Sequence, residues 1–211
     1  MQLVSPITID DFERLPAELA RNHELVDGEL VDVSGNTLGH NFLRDLLIRM
    51  LSLHVIERTL GRVVGEQEYD FGGNAHGPDV TFFVSEKERL CDRSRRVQRF
   101  VPDLAIEIVS QNDTFEKLIG KAHRYRKCGT SEVWIFSIES REAYLYSERG
   151  RAILDEDGIF QSSLIPGFSI RLGDLFDQLC RSPSSKSLTR WWSTRSSLAR
   201  PAIGRARGKR G

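Results

Sequence analysis

PDLAIEIVSQNDTFEKLIGKAHRY, residues Pro102–Tyr125, decides the fold. A Pro-Asp step opens a short apolar run, Leu104 to Val109, with the length and composition of a buried strand in an α/β sheet. Side chains alternate along a strand, so Leu104, Ile106 and Ile108 share one face while Ala105, Glu107 and Val109 share the other. Glu107 is the anomaly, because a carboxylate among small apolar neighbours is costly unless it is paired or binds a cation. Ser110-Gln111-Asn112-Asp113 supplies turn and N-cap chemistry, and Phe115, Leu118, Ile119, Ala122 and Tyr125 then recur at helical spacing up to a stop at Gly129. Lys117, Lys121 and Tyr125 fall at i, i+4 and i+8, one stripe running back over the end of the strand that holds Glu107.

Downstream, Glu132 to Ile138 is a further apolar strand, so residues 102–138 read as a strand-helix-strand crossover with parallel neighbours. Ser140-Arg141 turns the chain into Ala143–Tyr146, a returning hairpin arm. Ala152–Leu154 and Leu164–Ile170 extend the antiparallel part, and Leu172–Leu179 closes it as a short helix. Upstream, GPDVTFFV (Gly77–Val84) is a second Pro-Asp step opening a strand, with Asp79 the first side chain able to point into a cleft beside the sheet. The two Pro-Asp steps are separated by a charged segment, Ser85–Arg99, which reads either as a solvated loop or as a basic rim around a phosphate site. Arg62–Phe71 reads as one strand, and His40–Leu60 as an amphipathic helix opened by His40 and ended by Gly61. HELVDGELVDVS (His23–Ser34) is a tight hairpin about Asp27-Gly28, with Glu24 in its first arm and Glu29 a solvated start to the second. Residues 7–20 form a short helical lead-in, capped by Thr8 or Asp10 and broken by Pro16.

A chain of 211 residues with ordinary apolar content can bury one sizeable core, which places a single domain over residues 1–180. No stretch approaches a membrane span and no basic-then-apolar leader opens the sequence, so a cytoplasmic protein is expected. Cys91, Cys128 and Cys180 are far apart and form no CxxC pair, which argues against a disulfide framework or a thiolate zinc site. The zero net charge hides an asymmetry. Residues 181–211 hold nine Lys/Arg and no acid, leaving 21 basic against 30 acidic residues in the first 180. That Ser/Gly-rich tail is expected to be disordered, and it reads equally as a polyanion-binding arm, with Trp191-Trp192 stacking on bases, or as an extension with no dedicated role.

Taken in order, HELVDGELV, GPDVTFFV, PDLAIEIVS, the helix with Lys121 and Tyr125 four apart, EVWIFSIE and LIPGFSIRLGDLF resemble the Uma-type (DUF820) restriction endonuclease family of the PD-(D/E)XK nuclease superfamily, over about residues 5–180. The resemblance implies an α/β (α+β) fold, restriction-endonuclease-like, with a mixed central sheet flanked by helices and antiparallel hairpin extensions. It also implies a divalent-metal site and phosphodiester hydrolysis. The superfamily's usual lysine, two places after the glutamate, is here Val109; the matching lysine lies on the following helix, at Lys121. Where the family helix usually carries an acid, this chain has Lys117.

In-line attack of water on a phosphodiester builds charge on the phosphate oxygens, and Mg²⁺ (or Mn²⁺) meets that need with hard oxygen ligands, commonly one or two carboxylates plus waters. Asp79 and Glu107 would supply the carboxylates and Ile108 its backbone carbonyl; Glu24 would be an outer or second-metal ligand, and Lys121 would orient the water or stabilise the transition state. Tyr125 is expected to be a packing residue with a polar tip; His40, a lone histidine on a helix, reads first as structural, with a place near a phosphate or a water as the alternative. The expected partner is nucleic acid, DNA foremost, and cutting both strands would favour a two-fold dimer. The acidic body keeps a second class open, a nuclease-like scaffold that binds nucleic acid or protein without cutting; a third is an enzyme using the same site on a smaller phosphate ester.

Overall fold

Thr8 starts the lead-in: its hydroxyl accepts from the Asp11 N–H while the Asp11 carboxylate accepts from the Thr8 N–H, a reciprocal cap on α1 (Ile9–Glu13). Pro16 then begins the single turn of α2 (Ala17–Ala20). In the computed structural model, which describes residues 6–33, 35–110 and 113–180, the hairpin follows as β1 (His23–Val26) and β2 (Glu29–Asp32). Asp27 and Gly28 both have positive φ, 51° and 85°, the two-residue turn whose twist matches the paired strands. Gly28 is required there twice over, since a Cβ would lie 2.5 Å from that of Pro6.

α3 (Leu38–Glu57) starts two residues earlier than the sequence suggested, because Thr37 accepts the His40 N–H and so caps it. It also ends sooner. Gly61 already belongs to β3 (Gly61–Gly65), where a Cβ would meet the Phe83 carbonyl oxygen at 2.0 Å. The single strand expected over 62–71 is two, β3 and β4 (Glu68–Asp70), lying in different sheets. Glu66, at φ 52°, turns the chain between them; the apolar spacing runs through this bend and gives no warning of it.

Then come β5 (Ala75–His76), β6 (Val80–Val84), a 3-10 turn over Ser85–Leu90, β7 (Val97–Gln98) and β8 (Leu104–Ile108). α4 (Phe115–Lys127) is capped by Thr114, one residue past the expected Ser110–Asp113 turn, of which Gln111 and Asn112 lie outside the described residues. β9 (Glu132–Ser137), β10 (Glu142–Ser147), β11 (Gly150–Leu154), β12 (Ile159–Gln161), β13 (Ser169–Arg171) and α5 (Leu172–Cys180) complete the chain, the basic tail at 181–211 lying outside the description.

The central sheet has six strands in the order β11-β10-β9-β8-β6-β3. It is mixed: β8 and β9 are parallel across the α4 crossover, as the sequence required, and the other pairs are antiparallel. Leu104, Ile106 and Ile108 of β8 pack with Leu43, Leu47 and Leu51 of α3 and Phe176 of α5. Ala105 packs on the opposite face, with Leu118, Ala122 and Tyr125 of α4 and with Tyr69 and Phe71. The alternation read from β8 is therefore realised, and Glu107 lies on the α4 side. Burying each large apolar side chain in these layers contributes about 1.5–3 kcal/mol before conformational entropy is counted.

A second sheet, β2-β1-β5-β4-β7, has its own small core of Ile9, Phe12, Leu25, Ala75 and Val97. It brings β1 and β5 to α4, and so brings Glu24 to Lys121. Among the described residues no helix is long and apolar enough to cross a membrane.

Candidate active site

Asp79 is placed by strand register. Val80 pairs with Ile106 in the antiparallel β6-β8 ladder, so one step earlier Asp79 arrives alongside Glu107. Its Oδ2 accepts the Ile108 N–H at 2.7 Å, and His40 Nε2, at the start of α3, lies 3.2 Å from Oδ1. Ile108 N–H is thus turned toward Asp79 while Val109 N–H donates to Phe136 on the other side. A strand residue directs its N–H and C=O to the same side, so the Ile108 carbonyl also faces Asp79.

Glu107 is 5% exposed. Tyr125 OH donates to its Oε1 at 2.6 Å, and Lys121 Nζ stands 3.7 Å from Oε2. Lys121 is closer to Glu24, at 3.0 Å from Oε1. Glu24 is tied further, Oε1 accepting the Gly77 N–H at 3.2 Å and Oε2 lying 2.8 Å from His76 Nδ1. Glu24, His40, Asp79, Glu107 and Lys121 line one cleft of about 850 Å³, whose α4 wall also presents Lys117 and Arg124.

The electrostatics separate the two glutamates. Burial, with the Asp79 and Glu24 charges added, pushes the Glu107 carboxyl up to about 8 against the opposing pull of Lys121 and the Tyr125 hydrogen bond. Burial would raise Glu24 too, but the His76 hydrogen bond and the Lys121 charge outweigh it and hold that carboxyl at about 2. Lys121 loses hydration on burial, yet Glu107 and Glu24 keep it well above the usual lysine range. Desolvation lowers His76. The site therefore holds an ionised Glu24, a charged Lys121 and a His76 whose pKa is lowered, with the Glu107 carboxyl pushed well above the usual glutamate range by burial and the neighbouring acids.

Among the described residues no three His, Cys, Asp or Glu side chains stand close enough to form a ready metal cage. The donors around Asp79 still suit a hard cation: the carboxylate at the entry to β6, that of Glu107 on the neighbouring β8 and a carbonyl on the same side, with burial and nearby acids raising the Glu107 carboxyl where a cation would lower it. Mg²⁺ needs only one or two carboxylates and completes its shell with water. Glu24, expected as an outer or second-metal ligand, has its oxygens engaged by Lys121, Gly77 and His76.

Three groups here were not assigned these places from sequence. His76 was not singled out; its signal was its position three residues before Asp79. Tyr125 does pack, stacked on Phe71 at 4.2 Å between centroids, but its hydroxyl also holds Glu107. His40 stands at Asp79. The basic rim read into Ser85–Arg99 is absent for the arginines nearest the site, which are tied to acids. Arg96 grips Glu68 at 2.6 and 2.5 Å over the Phe12 ring, Arg95 reaches Glu13 at 3.0 Å, and Arg99 pairs with Asp10, Glu13 and Asp70.

A family model described as "Putative restriction endonuclease", Uma2, matches residues 9–173, which include every group above. The chain belongs to the Uma2 family. A crystal structure of a "putative nuclease belonging to DUF820" from Anabaena variabilis ATCC 29413 superimposes with a TM-score of 0.73 at 22% identity, covering 82% of this chain and 99% of that one. It shares the Uma2 fold described above. The DrdV–DNA complex is also similar, over 73% of this chain and 13% of that one, at 16% identity and a TM-score of 0.37. No curated protein matches the sequence.

Proposed function

We propose that this Uma2 chain is a divalent-metal-dependent endonuclease that hydrolyses phosphodiester bonds of nucleic acid, DNA foremost. The observation that carries the reading is the convergence of Asp79, Glu107 and Lys121, from three separate elements, on one cleft in a chain of a nuclease family. Asp79, Glu107 and the Ile108 carbonyl would hold Mg²⁺ or Mn²⁺. Bound there, the ion would acidify a water and neutralise charge on the phosphate.

The protein's own groups supply the rest. His40 and the Ile108 N–H fix both oxygens of Asp79, so that its remaining lone pairs are directed without rotamer search. Tyr125 orients Glu107 in the same way. Lys121 is kept charged by Glu24 and is the fixed cation nearest Glu107, suited to stabilise charge that develops on a phosphate oxygen.

The test is cleavage of supercoiled plasmid and of single-stranded DNA by the full chain with Mg²⁺ or Mn²⁺, beside Glu107→Gln and Lys121→Ala. Metal-dependent nicking lost in both variants supports the reading; nicking that survives both, or that proceeds in chelator, overturns the site. A second reading, a scaffold that binds without cutting, is favoured by the neutralised arginines around the cleft. Absence of cleavage together with absence of Mn²⁺ binding in calorimetry selects it.

A further inference from the structure

α3 has two apolar faces. One, with Leu43, Leu47 and Leu51, is fully buried on the central sheet. The other points outward, and there Leu38 is 67% exposed, Phe42 50%, Leu53 47% and Ile56 71%. A surface helix of a folded domain ordinarily presents charge to water on the side away from its core, and contiguous exposed apolar patches mark contact surfaces.

The outward residues follow a regular order. Leu38, Phe42, Asp45, Arg49, Leu53 and Ile56 recur at spacings of three and four, so they form one stripe along a 20-residue helix of about 30 Å. The stripe reads apolar, apolar, acid, base, apolar, apolar, and it is nearly symmetric about residue 47. A pattern of that kind is self-complementary under a two-fold axis perpendicular to the helix, which brings position i against j and j against i. Laid antiparallel on a second α3, Leu38 and Phe42 meet the region of Leu53 and Ile56, and Asp45 meets Arg49 at both symmetry-related positions. Laid parallel, Asp45 would face Asp45 and Arg49 would face Arg49, and charges at such seam positions select the orientation.

We infer that α3 is a self-association seam on which a second copy of this chain packs antiparallel about a two-fold axis. The inference is independent of the cleavage chemistry.

Analytical ultracentrifugation of the full chain from low to high micromolar concentration tests it. The native chain is expected to dimerise reversibly. Asp45→Arg places like charges across the axis and should weaken the dimer about tenfold or more, whereas the double variant Asp45→Arg with Arg49→Asp restores the opposite pairing and should regain native affinity. Leu53→Glu, at the far end of the stripe, should abolish association by itself. All three positions are solvent-facing, and unfolding midpoints check that each variant folds. A native chain that stays monomeric, a dimer untouched by Asp45→Arg or Leu53→Glu, or a charge swap that fails to regain affinity overturns the seam.

Discussion

Glu107 and Glu132 lie on neighbouring parallel strands, β8 and β9, and both are buried, at 5% and 1% exposure, but they are surrounded in opposite ways. Glu132 accepts from Trp134 Nε1 and Ser162 Oγ on one oxygen, and from Ser163 N–H, Ser163 Oγ and Leu164 N–H on the other, at 2.6–3.1 Å. Its lone pairs are saturated by neutral donors, and it fastens the loop after β12 to the central sheet. Glu107 has one hydrogen-bond donor among the described residues, Tyr125, and it faces two further carboxylates. A saturated carboxylate is a structural knot, whereas one left short of donors beside like charges is poised to take up a cation. A buried glutamate in a strand therefore declares its role through the donors around it.

The largest expected effect lies at the knot. Glu132→Ala strands several buried donors at once and should cost about 3–5 kcal/mol of stability, read by urea unfolding, while leaving activity per folded molecule unchanged. A loss below about 1 kcal/mol would erase the distinction drawn here.

Glu107→Gln should act in the opposite sense on the metal-free protein. Its folded carboxyl titrates at about 8, above the ordinary glutamate value, so the native chain binds an extra proton between those two points. That contribution is complete below about pH 4.5 and is lost as pH rises through 8. Relative to native, the variant should gain on the order of 3 kcal/mol between pH 5 and pH 8 in chelator; parallel pH profiles would show that Glu107 is not starved of charge.

Asp79→Asn should leave the fold intact and weaken Mn²⁺ binding at least about tenfold by calorimetry, a difference of about 1.4 kcal/mol. Unchanged affinity would remove Asp79 from the metal site. The smallest effect is expected for Tyr125→Phe, which deletes one buried hydrogen bond worth about 1 kcal/mol and keeps the ring stacked on Phe71. An activity loss as large as that of Glu107→Gln would make the hydroxyl more than an orienting group.

The sequence revealed these regions unequally, for reasons of distance along the chain. Glu107 was conspicuous because one charged residue breaks a five-residue strand, and Lys121 because the following helix has a clear period. Glu132 gave no comparable sign. Apart from the Trp134 indole, its donors come from residues 162–164, about thirty positions away, and nothing nearby in the sequence anticipates those. The arginines of the 85–99 segment were legible as charge, but not their neutralisation by Asp10, Glu13 and Asp70, whose partners are brought near only by the second sheet. That sheet was missed as a separate body because its strands are two to four residues long and Glu66 bends the chain without breaking the apolar spacing.

The hairpin is joined to α4 at two points, Glu24 to Lys121 and Asp27 to Arg124, and each tie spans 97 positions of sequence. Contacts that close so long a loop form late, because the chain must order much of the intervening structure before they are rewarded. Asp79, at the entry to β6, and Glu107, on β8, can meet as soon as those strands pair, but the ammonium is aimed only once the second sheet has docked. An emerging or partly unfolded chain would thus carry the acidic pair without its aligned lysine, and competence to cut would arrive as one of the last events of folding.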